Sequence, residues 1–487
     1  MTYEALMSPV AFLQERLAIA SHAPLLDDYE GWWRAQGAAI SAAVDRAGTP
    51  WLRMHDRFGA RVDEILFPPG YRLLLLRGYR AGVIWRAFAE QSLLPHYLLG
   101  YVTSYFDPGL YCPYTVSMST AAPLSKYADE GLRQRFLEPL LRRDDTVWQG
   151  ATWMTEIGGG SDLGAHVQTV ARRDGECWRL TGDKYFASNA GAEVAVVAAR
   201  PEGAPAGVKG LALFVVGRQA LDGRLNYTVR RLKDKIATRS VPTGEVELRD
   251  AEGWLLGPAE AGVYLILEVL NGSRVANGIG SVALAQRALA EARHFAAGRI
   301  AFGRPILEQP LLRAQFAERL ATLDACFALA WEAVRRLDQV WRQTPPYSDD
   351  YHLFRLVAHL AKYWTAEEAA QTAKWAMEVH GGLGVLAEYP VERLLREIMI
   401  LAIWEGTRHR QALDGLEVME RRNAHRRLLD ALAKIDPSGA AAVLADVEAY
   451  LQQPREAREA GAEMLFNRLA RFAGTTLARR EQMLAPG

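Results

Sequence analysis

The chain has 487 residues, half of them hydrophobic, with 57 Lys and Arg balanced by 57 Asp and Glu. That length suits roughly two to four domains, and zero net charge disfavours a globally basic nucleic-acid binder. Cys112, Cys177 and Cys326 lie far apart without metal or redox spacing, MTYEALMSPV lacks a basic-then-apolar leader, and no uncharged apolar run spans a membrane; a soluble, cytoplasmic protein without a metal site is expected.

Residues 1–148 read as a helical domain. Segments 11–20, 29–45, 71–90 and 132–142 place apolar residues at helical spacing. Pro50, Pro68-Pro69-Gly70 and Pro108-Gly109 punctuate them. Trp32, Trp33, Trp51, Trp85, Tyr97, Tyr101, Tyr105 and Phe106 crowd this region and read as packing residues. From 149 to 257 the pattern changes to short β-rich runs, at 167–172, 177–181, 193–199, 211–216, 225–230 and 244–248. Turn residues separate them at strand-like intervals, which predicts an antiparallel β domain. No strand-GxGxxG-helix unit occurs there, so nothing supports a nicotinamide site.

Residues 258–436 become helical again. Long periodic runs at 261–297, 310–342, 351–380 and 407–434 predict a four-helix-bundle domain of antiparallel helices. Pro437-Ser438-Gly439 marks a boundary, and helices at 440–452 and 454–483 form a C-terminal extension over 437–487. The fold class is therefore α+β multidomain.

Chemistry concentrates at 376–414. His380-Gly381-Gly382-Leu383-Gly384 breaks a helix, and Pro390 opens the next at a position where a missing N–H costs little. That helix runs into Trp404-Glu405-Gly406-Thr407. A carboxylate between a large aromatic and a glycine, after an apolar run, is poorly solvated, so its pKa should rise toward neutrality. A general base for a weak carbon acid needs that property. A second stretch, Gly150 to Thr169, carries Thr155-Glu156 and then the tight loop Gly158-Gly159-Gly160-Ser161-Asp162, whose bare backbone could approach an anion or carbonyl closely.

The Gly-Gly-x-Gly break, the proline and the aromatic-Glu-Gly-Thr turn together resemble a signature of the acyl-CoA dehydrogenase family. The Thr-Glu-x-x-Gly-Gly-Ser-Asp run resembles a second, with Ile157 where proline is usual. The resemblance implies an acyl-CoA dehydrogenase-like fold, FAD as cofactor, and Glu405 as the base that removes the α-proton of an acyl-CoA while a hydride leaves Cβ for the flavin. It implies that Met154 and Thr155 lie against the isoalloxazine, with Ser161 at the pyrophosphate or thioester entrance. Phe186 stands where a tryptophan commonly shields the flavin, and Ser188 replaces a threonine near N5. Arg299-Ile300-Ala301-Phe302-Gly303 matches the segment that holds the adenine end across a dimer contact, with Gln309 one place early and Pro310 at the usual glutamine. Gly381, Gly382 and Thr407 are further cofactor candidates. So is Glu378, although an acid near pyrophosphate must be paired or turned aside.

On the substrate side the usual Phe-Asp-x-x-Arg is Leu270-Asn271-Gly272-Ser273-Arg274. Arg274 remains, either as a substrate contact or as a structural ion pair; Trp404 and Ser161 complete the substrate candidates. Arg231-Leu232-Lys233-Asp234-Lys235, Gly253-Trp254-Leu255-Leu256-Gly257 and His55-Asp56-x-x-Gly59 resemble AidB-type members, which are associated with DNA. The expected partners are an acyl-CoA or related thioester, further copies of the chain in a dimer of dimers (a homotetramer), and an electron-transfer flavoprotein. Weak DNA binding would use Arg408-His409-Arg410 and Arg421, Arg422, Arg426 and Arg427. Two other readings stay open: a non-enzymatic flavoprotein that binds nucleic acid or a partner, and a flavin oxidase or monooxygenase on the same scaffold.

Overall fold

The structure, a computed structural model, describes residues 3–484. It groups into two compact units: one holds the residues up to Gly31, Gly100–Tyr105 and those from Arg274 onward, the other Trp32–Leu99 and Phe106–Ser273. The long helix Gly262–Gly298 therefore contributes to both.

In the unit that contains the sheet, the helix Pro108–Tyr127 starts at Asp107, whose carboxylate accepts from the Leu110 N–H at 3.0 Å and the Ser41 hydroxyl at 2.7 Å. Its Thr120 hydroxyl donates to Ala151 O at 2.8 Å, which seats the helix on the first strand of the sheet. The expectation of an all-helical N-terminal region is corrected here. Strands β1 (Trp51–His55) and β2 (Arg61–Leu66) form an antiparallel hairpin. Asp56 closes its turn by accepting from the N–H groups of Phe58 and Ala60, and Gly59 takes φ +84°. The alternating exposure along β1 has period two, which a helical reading of the flanks overlooked.

The sheet comprises β3 (Gly150–Trp153), β4 (Val170–Asp174), β5 (Cys177–Ser188), β6 (Val194–Pro201), β7 (Ala212–Gly217), β8 (Thr228–Leu232) and β9 (Thr243–Leu256). Its order is β3-β6-β4-β5-β9-β7, with β8 on β9 and a further β6–β7 pairing. That last pairing closes β6, β4, β5, β9 and β7 into a ring, which removes their free edges. Most pairings are antiparallel as expected, but β6 runs parallel to β3 and β4. Leu180, Val197, Phe214, Val216, Val246 and Leu248 belong to its buried core.

The other unit is a helical bundle. Gly262–Gly298, Pro310–Val340, Asp349–His380, Pro390–Ile403 and Arg408–Arg422 fall close to the predicted runs. The predicted helix 407–434 is split, because Asn423 takes φ +51° and a new helix, Ala424–Ala433, starts after it. The first residues of the chain join this unit through side chains: Gln286 Nε2 donates to the carbonyls of Ala5 and Leu6, and Phe12 packs edge-on to Phe327 at 5.2 Å. The C-terminal helices Pro437–Leu451 and Arg455–Leu484 also belong to it; Tyr363 packs on Phe466 and donates to Glu463 O at 2.9 Å. No helix among the described residues is long and apolar enough to cross a membrane.

Candidate active site

Glu405 sits two residues past the end of the helix Pro390–Ile403. The helix stops because Trp404 leaves helical geometry, with ψ 167°, and Glu405 then takes φ +59°. A non-glycine residue in that left-handed region is unfavourable by about 1 kcal/mol, so the surroundings must hold it there. Gly406 follows at φ +95°. Glu405 keeps some accessible surface, yet packing around its carboxyl pushes the pKa up to about 6; burial is the cause, opposed by the charges of Arg274 and Lys362. Among the described residues the carboxylate accepts no hydrogen bond, so it is available as a base.

What holds the turn is a set of buried side chains from three helices. Asn277 Nδ2 donates to Leu401 O at 3.0 Å. Lys362 Nζ donates to Ala402 O at 3.1 Å and to Gly406 O at 2.7 Å. Arg274 Nε donates to Glu405 O at 3.2 Å, and Gln411 Nε2 to Glu405 O at 2.8 Å and Gly406 O at 3.1 Å. The carbonyls that a helix leaves unpaired at its end are thus capped by side chains. Gln411 Oε1 is in turn fixed by His359 Nδ1 at 2.9 Å. Burial pushes the His359 imidazole down to about 3, so the ring is neutral and its Nδ1–H is the donor. Arg274 also pairs with Asp414 at 3.3 Å. Both contacts tie its guanidinium to the Glu405 turn, which favours the ion-pair alternative over direct substrate contact. Sequence reading missed Asn277, His359, Lys362, Gln411 and Asp414; the available signal was polar residues such as His359 and Lys362 inside the apolar run of the helix Asp349–His380.

The other candidates in this unit fall into two groups. Trp404 and Thr407 flank Glu405, Thr407 preceding the helix Arg408–Arg422 with its hydroxyl 3.0 Å from His409 Nε2. Arg299 and Phe302 lie on a hairpin of β10 (Ile300–Ala301) and β11 (Arg304–Pro305). Phe302 is at its tip, 98% exposed, with φ +50°. Gln309, after the short helix Ile306–Glu308, braces this hairpin, accepting from Arg304 and donating to Ala301 O. Phe295, one turn before Arg299, stacks on His380 at 4.3 Å, so this end of the helix meets Gly381-Gly382. Gly381 needs its glycine for φ +59°, while a side chain at Gly382 would meet nothing in the chain. Glu378 pairs with Lys374 one turn back, which offsets its charge.

In the sheet unit, Met154, Thr155, Ser161, Phe186 and Ser188 cluster around the end of β3 and of β5. Trp153 Nε1 donates to Ser188 O at 3.0 Å, locking the two strands' ends together. Met154 is buried, Thr155 and Ser188 are partly accessible, and Ser161 and Phe186 are exposed. The glycine loop is bare for a packing reason: a Cβ at Gly160 would lie 2.6 Å from Thr155 Oγ1, and one at Gly158 2.5 Å from His166 Nδ1. Glu156 anchors the loop. Its carboxylate accepts from Lys184 Nζ at 2.6 Å, Thr169 Oγ1 at 2.5 Å, and the N–H groups of Gln168 and Thr169.

The arginine clusters considered for DNA are largely engaged within the chain. Arg421 pairs with Glu417, Arg426 with Glu448, and Arg427 with Asp349 and Asp350. Arg408 lies by Glu367 and Glu463, and Arg410 pairs with Asp414. Among the described residues no group of three metal-ligating side chains occurs.

Residues 260–420 match the acyl-CoA dehydrogenase C-terminal domain, 151–251 the acyl-CoA dehydrogenase middle domain, and 11–145 the adaptive response protein AidB N-terminal domain. AidB of Escherichia coli (strain K12) is 30% identical over 405 residues, 79% of this chain and 72% of that protein. The fold is shared with Caenorhabditis elegans ACDH-11 in complex with C11-CoA, at TM-score 0.88 and 22% identity over 100% of this chain and 89% of that one. It is also shared with a Bacillus anthracis acyl-CoA dehydrogenase complexed with FAD, at TM-score 0.78 and 19% identity over 97% and 83%. On the domain matches and the AidB identity, the chain belongs to the acyl-CoA dehydrogenase family, in its AidB-like branch.

Proposed function

We propose that this chain is an FAD-dependent oxidoreductase that dehydrogenates an acyl-CoA thioester between Cα and Cβ. The observation that carries the reading is Glu405, a carboxylate without a hydrogen-bond donor among the described residues, raised to about 6 and held by its own backbone. A base of that pKa is ionised at neutral pH yet still basic enough to take an α-proton. In this reading the Glu405 N–H, which donates to no acceptor among the described residues, would donate to the thioester carbonyl and so acidify the α-carbon. Arg274 acts in this reading by holding the base.

The residues present suit FAD. Thr155, with its hydroxyl kept clear by Gly160, Met154, Ser188 and the exposed ring of Phe186 would hold the isoalloxazine, and Ser161 its entrance. Arg299, Phe302, Gly381 and Gly382 of another copy of the chain would hold the adenine dinucleotide portion, with the open backbone at Gly382 suited to pyrophosphate. Bound FAD would supply the hydride acceptor, as the family resemblance implies. Assembly into a dimer or dimer of dimers belongs to the same reading, since the exposed tip Phe302 with exposed Ile300 is an apolar surface suited to cover by another copy. An electron-transfer flavoprotein is the expected oxidant.

The test is anaerobic bleaching of the purified flavoprotein by straight-chain, branched and aromatic acyl-CoAs, with chromatography of the released flavin. FAD and bleaching by at least one thioester are expected. A colourless protein that cannot be reconstituted with FAD, or one that no thioester bleaches, would overturn the reading.

A further inference from the structure

The cap beneath Glu405 contains one group whose charge capping alone does not require. Leu401 O is satisfied by the neutral amide of Asn277, and the Glu405 and Gly406 carbonyls by the neutral amide of Gln411. Lys362 adds an ammonium at a residue that is 1% exposed. Its Nζ bridges Ala402 O and Gly406 O, three residues before and one after the base. It makes no ion pair with a carboxylate among the described residues, although burying an ammonium is unfavourable unless another charge answers it.

We propose that Lys362 is a positioning residue for Glu405: its ammonium clamps the left-handed turn that carries the base and keeps the carboxylate ionised through its charge. The inference rests on the reading of Glu405 as the base, but its test does not need a substrate. Burial pulls the Lys362 ammonium down to about 7, with the Glu405 charge pulling it back up. The two groups therefore exchange influence in the same pH range. The charged group acting on both is Arg274 from the helix Gly262–Gly298; around Arg274 in turn stand His359 and Arg355 from the helix Asp349–His380, and Arg410 and Asp414 from the helix Arg408–Arg422. Arg274 already supports Glu405 by a carbonyl contact and by charge, so loss of Lys362 weakens the site without abolishing it.

The experiment is an infrared titration of the holoprotein, following the protonated-carboxyl band that disappears in Glu405→Gln, with hydrogen exchange of the 399–411 segment. Lys362→Gln keeps a donor and removes the charge; Lys362→Met removes both; Lys362→Arg keeps the charge. The band midpoint should rise by about one pH unit in Lys362→Gln and Lys362→Met and stay near the wild-type value in Lys362→Arg. Exchange across the turn should speed up most in Lys362→Met. A mere helix-end cap would leave the midpoint of Lys362→Gln unmoved, and that result overturns the proposal. Should Lys362→Met not fold, the Gln and Arg variants decide it alone. A normal rate of flavin reduction in Glu405→Gln would instead sink the reading of the base and would leave the midpoint shifts as they are, so the two failures are distinguishable.

Discussion

Replacing Lys184 by methionine tests how the loop bearing Thr155 and Ser161 is anchored. The Lys184 side chain is fully buried, and its ammonium donates to Glu156 Oε1 at 2.6 Å and to Ala198 O at 2.7 Å. Burial works to raise the Glu156 carboxyl, but the Lys184 charge and hydrogen bond, the Thr169 hydroxyl and the Gln168 N–H outweigh it and hold the pKa below the usual value of 4.5. Removing one partner of a buried pair leaves the other uncompensated, at about 3–5 kcal/mol. For a unit of this size that lowers Tm by on the order of 10 °C. The pH dependence has a definite sign. In the wild type a depressed carboxyl stabilises the fold above pH 4.5 and loses that contribution as pH falls through its folded pKa. In Lys184→Met the folded pKa of Glu156 rises above its unfolded value, so the penalty is full near pH 7 and shrinks as acid protonates the carboxyl. Thermal melts of the flavin-loaded protein at neutral pH and at about pH 5 measure this. Adding Glu156→Gln to Lys184→Met should recover much of the lost Tm, because the stranded charge is gone. A Lys184→Met protein that melts like wild type at both pH values would refute the anchoring argument, as would a double variant no better than the single one.

Glu405→Gln should retain FAD and slow flavin reduction by any active acyl-CoA at least about a hundredfold in stopped flow. In the wild type that rate should climb as pH rises through about 6 and level off above it, because the base must be ionised. Since burial raises this carboxyl, its charge opposes folding above that pKa, and Glu405→Gln should melt no lower than wild type near pH 8. Phe302→Asp places a charge on the exposed hairpin tip and should shift the oligomer toward smaller species in light scattering, with weaker FAD retention; unchanged mass and occupancy would remove Phe302 from the interface. Binding to duplex DNA should be weak and should vanish between low and physiological salt, since Arg421, Arg426 and Arg427 are already paired; tight binding at high salt in a gel-shift assay would show another surface at work.

The order of helical, β-rich and helical segments was legible in the sequence because periodicity and turn residues are local. The poor solvation of Glu405 was legible for the same reason: an aromatic, a carboxylate and a glycine after an apolar run already imply it. The hairpin at 51–66 escaped because its two strands are short and flanked by long helical patterns. The parallel pairings of β6 could not be read, since alternation states that a strand is half-buried and not which neighbour it takes. Asn423 ends a helix whose pattern continues on both sides, because one left-handed residue redirects the chain without altering its apolar spacing. The support of Glu405 was decided only by tertiary structure. Asn277, Lys362 and Gln411 are 128, 43 and 6 residues from Glu405 along the chain, and each reaches the same turn from a different helix. A sequence motif records the candidate base; the groups that cap its backbone and bear on its charge are brought in by packing, where any buried donor of suitable reach can serve and no fixed spacing is needed.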